Sequence, residues 1–155
     1  MTGSRNGWLV AAGAAGLVHA AFSAYWALGG TWLLGTVGRW AVEWTREAPA
    51  GAGVVLATVA AVKVAGAVVP LLVEAGRLPG RRAWRGLSWA GAVVLVGYGT
   101  ANAVGAWLVL TGLAGSGGGD RTALLGHAVL WDPLFALWGA LLATGLWTTR
   151  DDARR

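Results

Sequence analysis

Four long apolar runs, at residues 8–30, 53–73, 87–113 and 122–147, constrain the fold more than any other feature of the sequence. Each is close to the roughly 20 residues that an α-helix needs to cross a hydrocarbon core about 30 Å thick. Only 12% of the residues are charged, about half the usual share in a soluble domain. The segments between the runs are too short for a soluble domain. The sequence therefore predicts one all-α domain, 1–155, an integral membrane four-helix bundle.

The arginines are divided unevenly between the two ends of these spans. Eight fall on the side of the termini: Arg5, Arg77, Arg81, Arg82, Arg85, Arg150, Arg154 and Arg155. Three fall on the other side: Arg39, Arg46 and Arg121. Because cytoplasmic loops are enriched in arginine and lysine, both termini are predicted to be cytoplasmic. Orientation explains the net charge of +5, so the expected partners are membrane lipids and not nucleic acid. Contact between the loop 76–85 and anionic headgroups is a second interpretation.

Several kinds of chemistry are excluded by what the sequence lacks. It contains no cysteine, which rules out thiolate nucleophiles, disulfide exchange and cysteine-ligated metals. It also contains no recognisable hydrolase, metalloprotease or nucleotide-binding motif, and its glycines do not follow the G-x-G-x-x-G pattern at a helix entry. Any chemistry must therefore come from the polar residues within the spans.

Tryptophan is abundant, with 11 residues, and most lie near the predicted ends of the spans. Amphipathic aromatic rings favour the headgroup level, so this placement fits a membrane protein. Trp26, Trp131 and Trp138 lie deeper and need another explanation. In the outer loop 35–52, apolar residues spaced by three and four predict a short helix on the membrane surface, ended near Pro49. A solvated loop is the alternative.

Each span carries polar side chains in its interior. The first has His19, the second Lys63, the third Tyr98 and Asn102, and the fourth His127 and Asp132. At 1.5 Å per residue, His19, Lys63, Asn102 and Asp132 lie about 15–17 Å from the outer ends of their runs, near the midplane. His127 lies about 8 Å nearer the outer face. Because a charged side chain facing lipid costs at least ~2.5–3.5 kcal/mol, we expect Lys63 and Asp132 to pair across the bundle.

Helical periodicity places these residues on common faces. Gly16, His19, Ser23, Trp26 and Gly30 share one face of the first span, and Gly91, Leu95, Tyr98, Asn102 and Gly105 share one of the third. Small residues at every fourth position, in 12–24 and 97–105, favour close helix packing. The predicted ligand-binding set is His19, Trp26, Lys63, Tyr98, Asn102, His127, Trp131 and Asp132.

The fourth span contains a proline in the middle of an apolar stretch. Pro133 cannot donate to the carbonyl of Val129, so the helix is predicted to kink or break there. Asp132 would then cap the half-helix that Pro133 begins. A broken helix at this depth is tolerated where it lines protein or a cavity. The alternative is that the span starts at Pro133 and leaves His127 outside.

Two motifs carry a resemblance to a known family. His19 is followed by Trp26 and the run 29–32 within HAAFSAYWALGGTW, and the later segment reads GHAVLWDPLFALWG. Both resemble a family of small four-span bacterial membrane proteins catalogued as a domain of unknown function, over nearly the whole chain. The resemblance implies a four-span fold and a bacterial, actinobacterial, inner-membrane location. It implies no activity.

Four interpretations of function fit these observations. The first is a buried site at mid-bilayer that binds a small molecule, a lipid, or an ion or proton. The second is a structural or accessory role, in a homo-oligomer or a larger membrane complex. The third is a haem b protein with His19 and His127 as axial ligands, although their depths differ. The fourth is an intramembrane enzyme that modifies a lipid, with His19 or Asp132 in acid–base chemistry.

Overall fold

Helices make up most of the chain in a computed structural model that describes residues 3–115 and 119–150. In chain order they are α1 (Gly3–Ala27), α2 (Arg39–Glu47), α3 (Pro49–Glu74), α4 (Arg81–Leu110), α5 (Arg121–Gly126) and α6 (Asp132–Thr148). A 3₁₀ turn at Leu34–Thr36 precedes α2, and a π-helical segment at His127–Trp131 joins α5 to α6 without a break.

Four helical segments are long and apolar enough to cross a membrane: Gly7–Ala27, Pro49–Glu74, Arg81–Leu110 and Arg121–Thr148. The predicted all-α, four-span membrane fold is therefore confirmed. The second span begins at Pro49, earlier than expected, because proline is well accommodated in the first turn of a helix. The side of the membrane on which the termini lie stays a prediction.

The four spans form an open arc. Helix α1 packs along both α3 and α6, and α6 packs in addition along α4. By contrast, α3 and α4 touch only sparsely, although they are consecutive spans. The order around the arc is therefore α3, α1, α6, α4, and its open side lies between α3 and α4.

Glycine sets the closest helix approaches. A Cβ atom on Gly99 of α4 would clash with the backbone carbonyl of Asp132, and one on Gly139 of α6 would lie 2.8 Å from the carbonyl oxygen of Ala92. The small-residue stripe predicted for the first span is buried at Ala12, Gly16 and Ala20. The stripe predicted for the third span is wrong, because residues 97, 101 and 105 are exposed. The buried small residues of α4 are Ala92, Gly99 and Ala106.

The short helix predicted in the loop 35–52 is present as α2, and it ends just before Pro49. Its start is fixed by Asp120, whose Oδ2 accepts the backbone N–H of Arg39 at 3.1 Å. The other oxygen of Asp120 accepts the N–H groups of Thr122 and Ala123 and so caps α5. One carboxylate thus joins the starts of two helices, a link that no pattern in the sequence indicates. Whether α2 lies on the membrane surface stays a prediction.

A buried ion cluster joins α3, α4 and α6 at the end of the spans opposite to Asp120. Arg85, only 8% exposed, binds Glu74 of α3 through Nη1. The same guanidinium donates to Thr149 Oγ1 at 2.9 Å and to the Leu146 carbonyl at 2.6 Å. Arg81 binds the second oxygen of Glu74 at 2.6 Å. Two arginines of the loop 76–85 therefore have a carboxylate partner within the protein.

Candidate functional site

A lysine on α3 meets a histidine and a serine on α1. The Nζ atom of Lys63 lies 3.0 Å from His19 Nδ1 and donates to Ser23 Oγ at 2.8 Å. His19 and Ser23 are one helical turn apart and both are buried, as the predicted face of the first span requires. Gly30, which helical spacing predicts on the same face, lies beyond the end of α1. The structure thus brings two of the predicted site residues, His19 and Lys63, into contact.

The predicted pairing of Lys63 with Asp132 is wrong. Asp132 is fully buried, and its Oδ2 lies 2.9 Å from Nδ1 of His127. In an α-helix, two residues five positions apart point in different directions. The π-helical segment between them closes its turns over five residues, so His127 and Asp132 share a face. The fourth span therefore supplies its own partner for the carboxylate.

Both ring nitrogens of His127 lie close to oxygen atoms. Its Nε2 is 3.1 Å from the carbonyl oxygen of Val37, and its Nδ1 contacts Asp132. The His127–Asp132 pair therefore also reaches the segment that precedes α2.

The sequence predicts that the helix kinks or breaks at Asp132–Pro133, and the break is wrong: the departure from α geometry is the π-helical segment that ends at Trp131. The helix continues through the π-helical segment, and Asp132 has helical backbone angles and makes no capping bond. Since Pro133 has no N–H, it cannot satisfy the carbonyl of Ala128 five residues earlier. The indole N–H of Trp107 on α4 donates to that carbonyl at 3.1 Å instead. His127 lies inside the span, so the alternative start at Pro133 is wrong as well.

Trp26 and Trp131 pack against each other near the Asp120 end of the bundle. Their rings are 5.2 Å apart in an edge-on arrangement, and both are buried. The indole N–H of Trp26 donates to the carbonyl of Trp32, and that of Trp131 donates to Thr36 Oγ1, each at 2.9 Å. Both tryptophans thus hold the segment 31–38 against the helices, with no polar atom left for a ligand.

Tyr98 and Asn102 do not lie in the interior of the bundle. Asn102 is exposed, and its Nδ2 donates to the carbonyl of Tyr98 in its own helix. Tyr98 is 53% exposed and touches the site only through an edge-on contact of its ring with Phe135. The predicted face of the third span is wrong because the close approach at Gly99 turns Asn102 outward.

A groove opens between α3 and α4, where the arc of spans is incomplete. Its volume is about 590 Å³, and its walls are formed by side chains within 58–70 of α3 and 84–95 of α4. Phe135, Trp138 and Leu142 of α6 form its floor. Lys63 is the one charged side chain among the described residues that line it. Sequence reasoning missed this groove because it depends on how far two helices are separated.

Two buried polar atoms near the groove have no hydrogen-bond partner among the described residues: Nε2 of His19 and Nε1 of Trp138. Phe135 links this region together. Its ring centroid is 3.9 Å from that of His19, and Lys63 Nζ lies 5.4 Å from it. Lys63, His19 and the groove floor therefore form one continuous site, which we call the Lys63 groove.

Metal and haem ligation receive no support from the geometry. No group of three histidine, cysteine, aspartate or glutamate residues that could hold a metal is found within 3–115 and 119–150. Both ring nitrogens of His127 are hydrogen-bonded, which leaves neither free to ligate iron. The proposed pairing of His19 with His127 on a haem is therefore disfavoured by the bonds of His127.

A family model described as "Protein of unknown function (DUF3995)" matches residues 16–142. The chain belongs to this family. The match confirms the resemblance carried by the two sequence motifs, and it covers His19, the Lys63 groove and the His127–Asp132 pair. No curated protein and no solved structure matches this DUF3995 protein. Its function must therefore be argued from the site.

Proposed function

We propose that this DUF3995 protein binds a membrane-soluble ligand in the Lys63 groove. The observation that carries the proposal is the position of Lys63, on the wall of a largely apolar groove of about 590 Å³ within the spans. Ligand sites are commonly 300–1,000 Å³ in volume, largely apolar, with a few polar groups that orient the ligand. The Lys63 groove has this composition.

The position of Lys63 is energetically costly. A lysine at mid-membrane costs at least ~2.5 kcal/mol on the insertion scale, and such residues are usually functional. Here the side chain is held by two neutral groups, His19 Nδ1 and Ser23 Oγ. Neither partner neutralises an ammonium ion. A lysine with a purely structural role would be more stable beside a carboxylate. The two neutral partners of Lys63 therefore support a role in binding.

The open side of the helix arc provides a route for the ligand. Val62 of α3 and Val94 of α4 line the groove and are both more than 60% exposed. Because the protein spans the membrane, such side chains face the acyl region of the bilayer. A ligand dissolved in the membrane would enter sideways between α3 and α4. The location that fits is the bacterial cytoplasmic membrane, with the termini inside as the arginine distribution predicts.

The test is native mass spectrometry of the protein released from mild detergent, with bound molecules identified after extraction. Gly91 lines the groove, and a Cβ there would meet no atom within 4 Å, so we expect Gly91→Leu to place its side chain in the groove. Gly97→Leu is the matched control on an exposed part of the same helix. We expect a bound mass in the wild type and in Gly97→Leu that is lost in Gly91→Leu. The same spectrum for all three proteins would refute the proposal.

A structural or accessory role is the second candidate. It is favoured by the His127–Asp132 pair and the Trp26–Trp131 contact, whose polar atoms are satisfied within the protein. Polar bonds between membrane helices contribute about 0.6 kcal/mol each and stabilise a bundle without any ligand. This role predicts that Gly91→Leu changes neither bound mass nor any cellular property of the protein.

A further inference from the structure

The unused hydrogen-bonding capacity around Lys63 is donor capacity. An ammonium group has three N–H donors and no acceptor, and two of the three are directed at His19 and Ser23. Nε2 of His19 and Nε1 of Trp138 also have no partner among the described residues, but both atoms are buried. The donor left for a ligand in the groove is therefore the third N–H of Lys63. A ligand that fits this region presents an acceptor.

Charge narrows the class of acceptor. The buried carboxylates of the described chain already have partners, since Glu74 binds Arg81 and Arg85 while Asp132 binds His127. Lys63 is therefore left without an anionic partner among the described residues. An anionic group brought by the ligand would supply one. It would also offset part of the cost of keeping lysine in a low-dielectric region.

The depth of Lys63 in the membrane further limits which classes of ligand can bind. At 1.5 Å per residue, Lys63 lies about 21 Å from the start of α3 at Pro49 and about 17 Å from its end at Glu74. A phospholipid would have to bring a bulky polar headgroup and two acyl chains to this level, whereas a single-chain carboxylate brings one small polar group and one chain. The groove continues from Lys63 along α3 to Pro70 and along α4 to Trp84, with apolar walls. That shape suits one extended hydrocarbon chain.

We infer that the ligand is a single-chain amphiphile with an anionic head, of the long-chain carboxylate class. Its carboxylate accepts from Lys63 Nζ, and its chain lies in the groove towards Pro70 and Trp84. This inference rests on the proposed function, because it names the ligand of the same groove. The carboxylate accepts the third N–H of Lys63, which His19 and Ser23 leave without a partner.

The experiment is photo-crosslinking in phosphatidylcholine nanodiscs, with adducts mapped by mass spectrometry. Three diazirine probes of equal chain length are compared: palmitic acid, its methyl ester and a phosphatidylcholine. The variants are Lys63→Met, Lys63→Arg, the groove-filling Gly91→Leu and its control Gly97→Leu. We expect the acid to label 58–70 and 84–95. Labelling should be about tenfold weaker in Lys63→Met, largely retained in Lys63→Arg and lost in Gly91→Leu.

Other outcomes separate the two levels of the proposal. Suppose that acid and methyl ester label the groove equally, and that this labelling depends on Gly91 but not on Lys63. The groove would then still be a binding site, but the inference that its ligand has an anionic head would be overturned. Groove labelling by the phosphatidylcholine probe would overturn the single-chain class. Labelling unaffected by Gly91→Leu would overturn the groove itself, and with it the proposed function. Should Lys63→Met fail to fold, the comparison of acid with ester in the wild type still decides the head group.

Discussion

His127 Nδ1 and Asp132 Oδ2 are 2.9 Å apart on one helix, five residues from each other in sequence. Only the π-helical turn between them allows this contact. The same imidazole reaches the Val37 carbonyl through Nε2, so the pair connects the fourth span to the segment that precedes α2. The π turn, the buried carboxylate and this loop are therefore one structural unit.

His127 and Asp132 should be energetically coupled. Asp132→Asn or His127→Ala alone leaves a buried polar group without its partner, which we expect to cost about 1–3 kcal/mol of unfolding free energy. Denaturation of both single variants and the double variant in detergent measures the coupling, expected at about 0.5–3 kcal/mol. Asn102→Ala, at an exposed position, should change the free energy by less than about 0.5 kcal/mol. Additive effects of the two single changes would contradict the pairing.

Trp107 should matter only because Pro133 leaves a carbonyl unsatisfied. Trp107→Phe removes the indole N–H that Ala128 accepts, and the unpaired carbonyl should cost about 1–3 kcal/mol. In a Pro133→Ala background, the new backbone N–H can serve this carbonyl, so the same change should cost less. Thermal unfolding of the four proteins gives the comparison. An equal cost of Trp107→Phe in both backgrounds would show that the indole acts only through its packing.

Replacing Arg85 should destabilise the protein more than replacing an exposed arginine. Arg85→Met leaves the Glu74 carboxylate with Arg81 alone and frees the Leu146 carbonyl, because one guanidinium serves both. Breaking a buried ion pair typically costs about 3–5 kcal/mol. Arg82→Met is the control, since Arg82 is exposed in the same turn. Equal melting temperatures for the two variants would contradict a structural role for Arg85.

Gly99 should tolerate no side chain. A Cβ there would meet the backbone of α6, so Gly99→Ala should force α4 and α6 apart and cost about 1–3 kcal/mol. Gly97→Ala, exposed on the same helix, should be neutral or stabilising by up to about 1 kcal/mol through helix propensity. Denaturation curves of the two variants test the contrast. A stable Gly99→Ala protein would place the α4–α6 contact elsewhere.

Orientation can be tested directly because the sequence contains no cysteine. Single cysteines at exposed Arg82 and Arg46 report on opposite ends of the spans. With a membrane-impermeant maleimide on intact cells, we expect Arg46→Cys to be labelled and Arg82→Cys to be labelled only after lysis. The reverse pattern would place the termini outside.

The sequence determined the fold readily because the length of an apolar run fixes a span almost by itself. The buried face of α1 was also predictable, since His19, Ser23 and Trp26 repeat at helical spacing. Two features were not. A π turn changes which residues share a face, so the sequence pattern pairs Asp132 with Lys63, whereas the structure pairs it with His127. In α4, backbone approach at Gly99 outweighed the polar pattern of Tyr98 and Asn102.

The buried ion cluster of Glu74, Arg81 and Arg85 joins α3 to α4 at one end of the spans. The two helices touch only sparsely overall, so we expect them to separate about this cluster as a pivot without breaking an ion pair. We expect lateral pressure in the bilayer to act on this helix pair before any other. The distance between spin labels at Val54 and Val104 should then change with lipid composition. The distance between labels on α1 and α6 should stay the same. An unchanged distance in every lipid would mean that the two helices are held rigidly. If the distance between Val54 and Val104 does change, the lateral pressure of the bilayer would determine the width of the Lys63 groove.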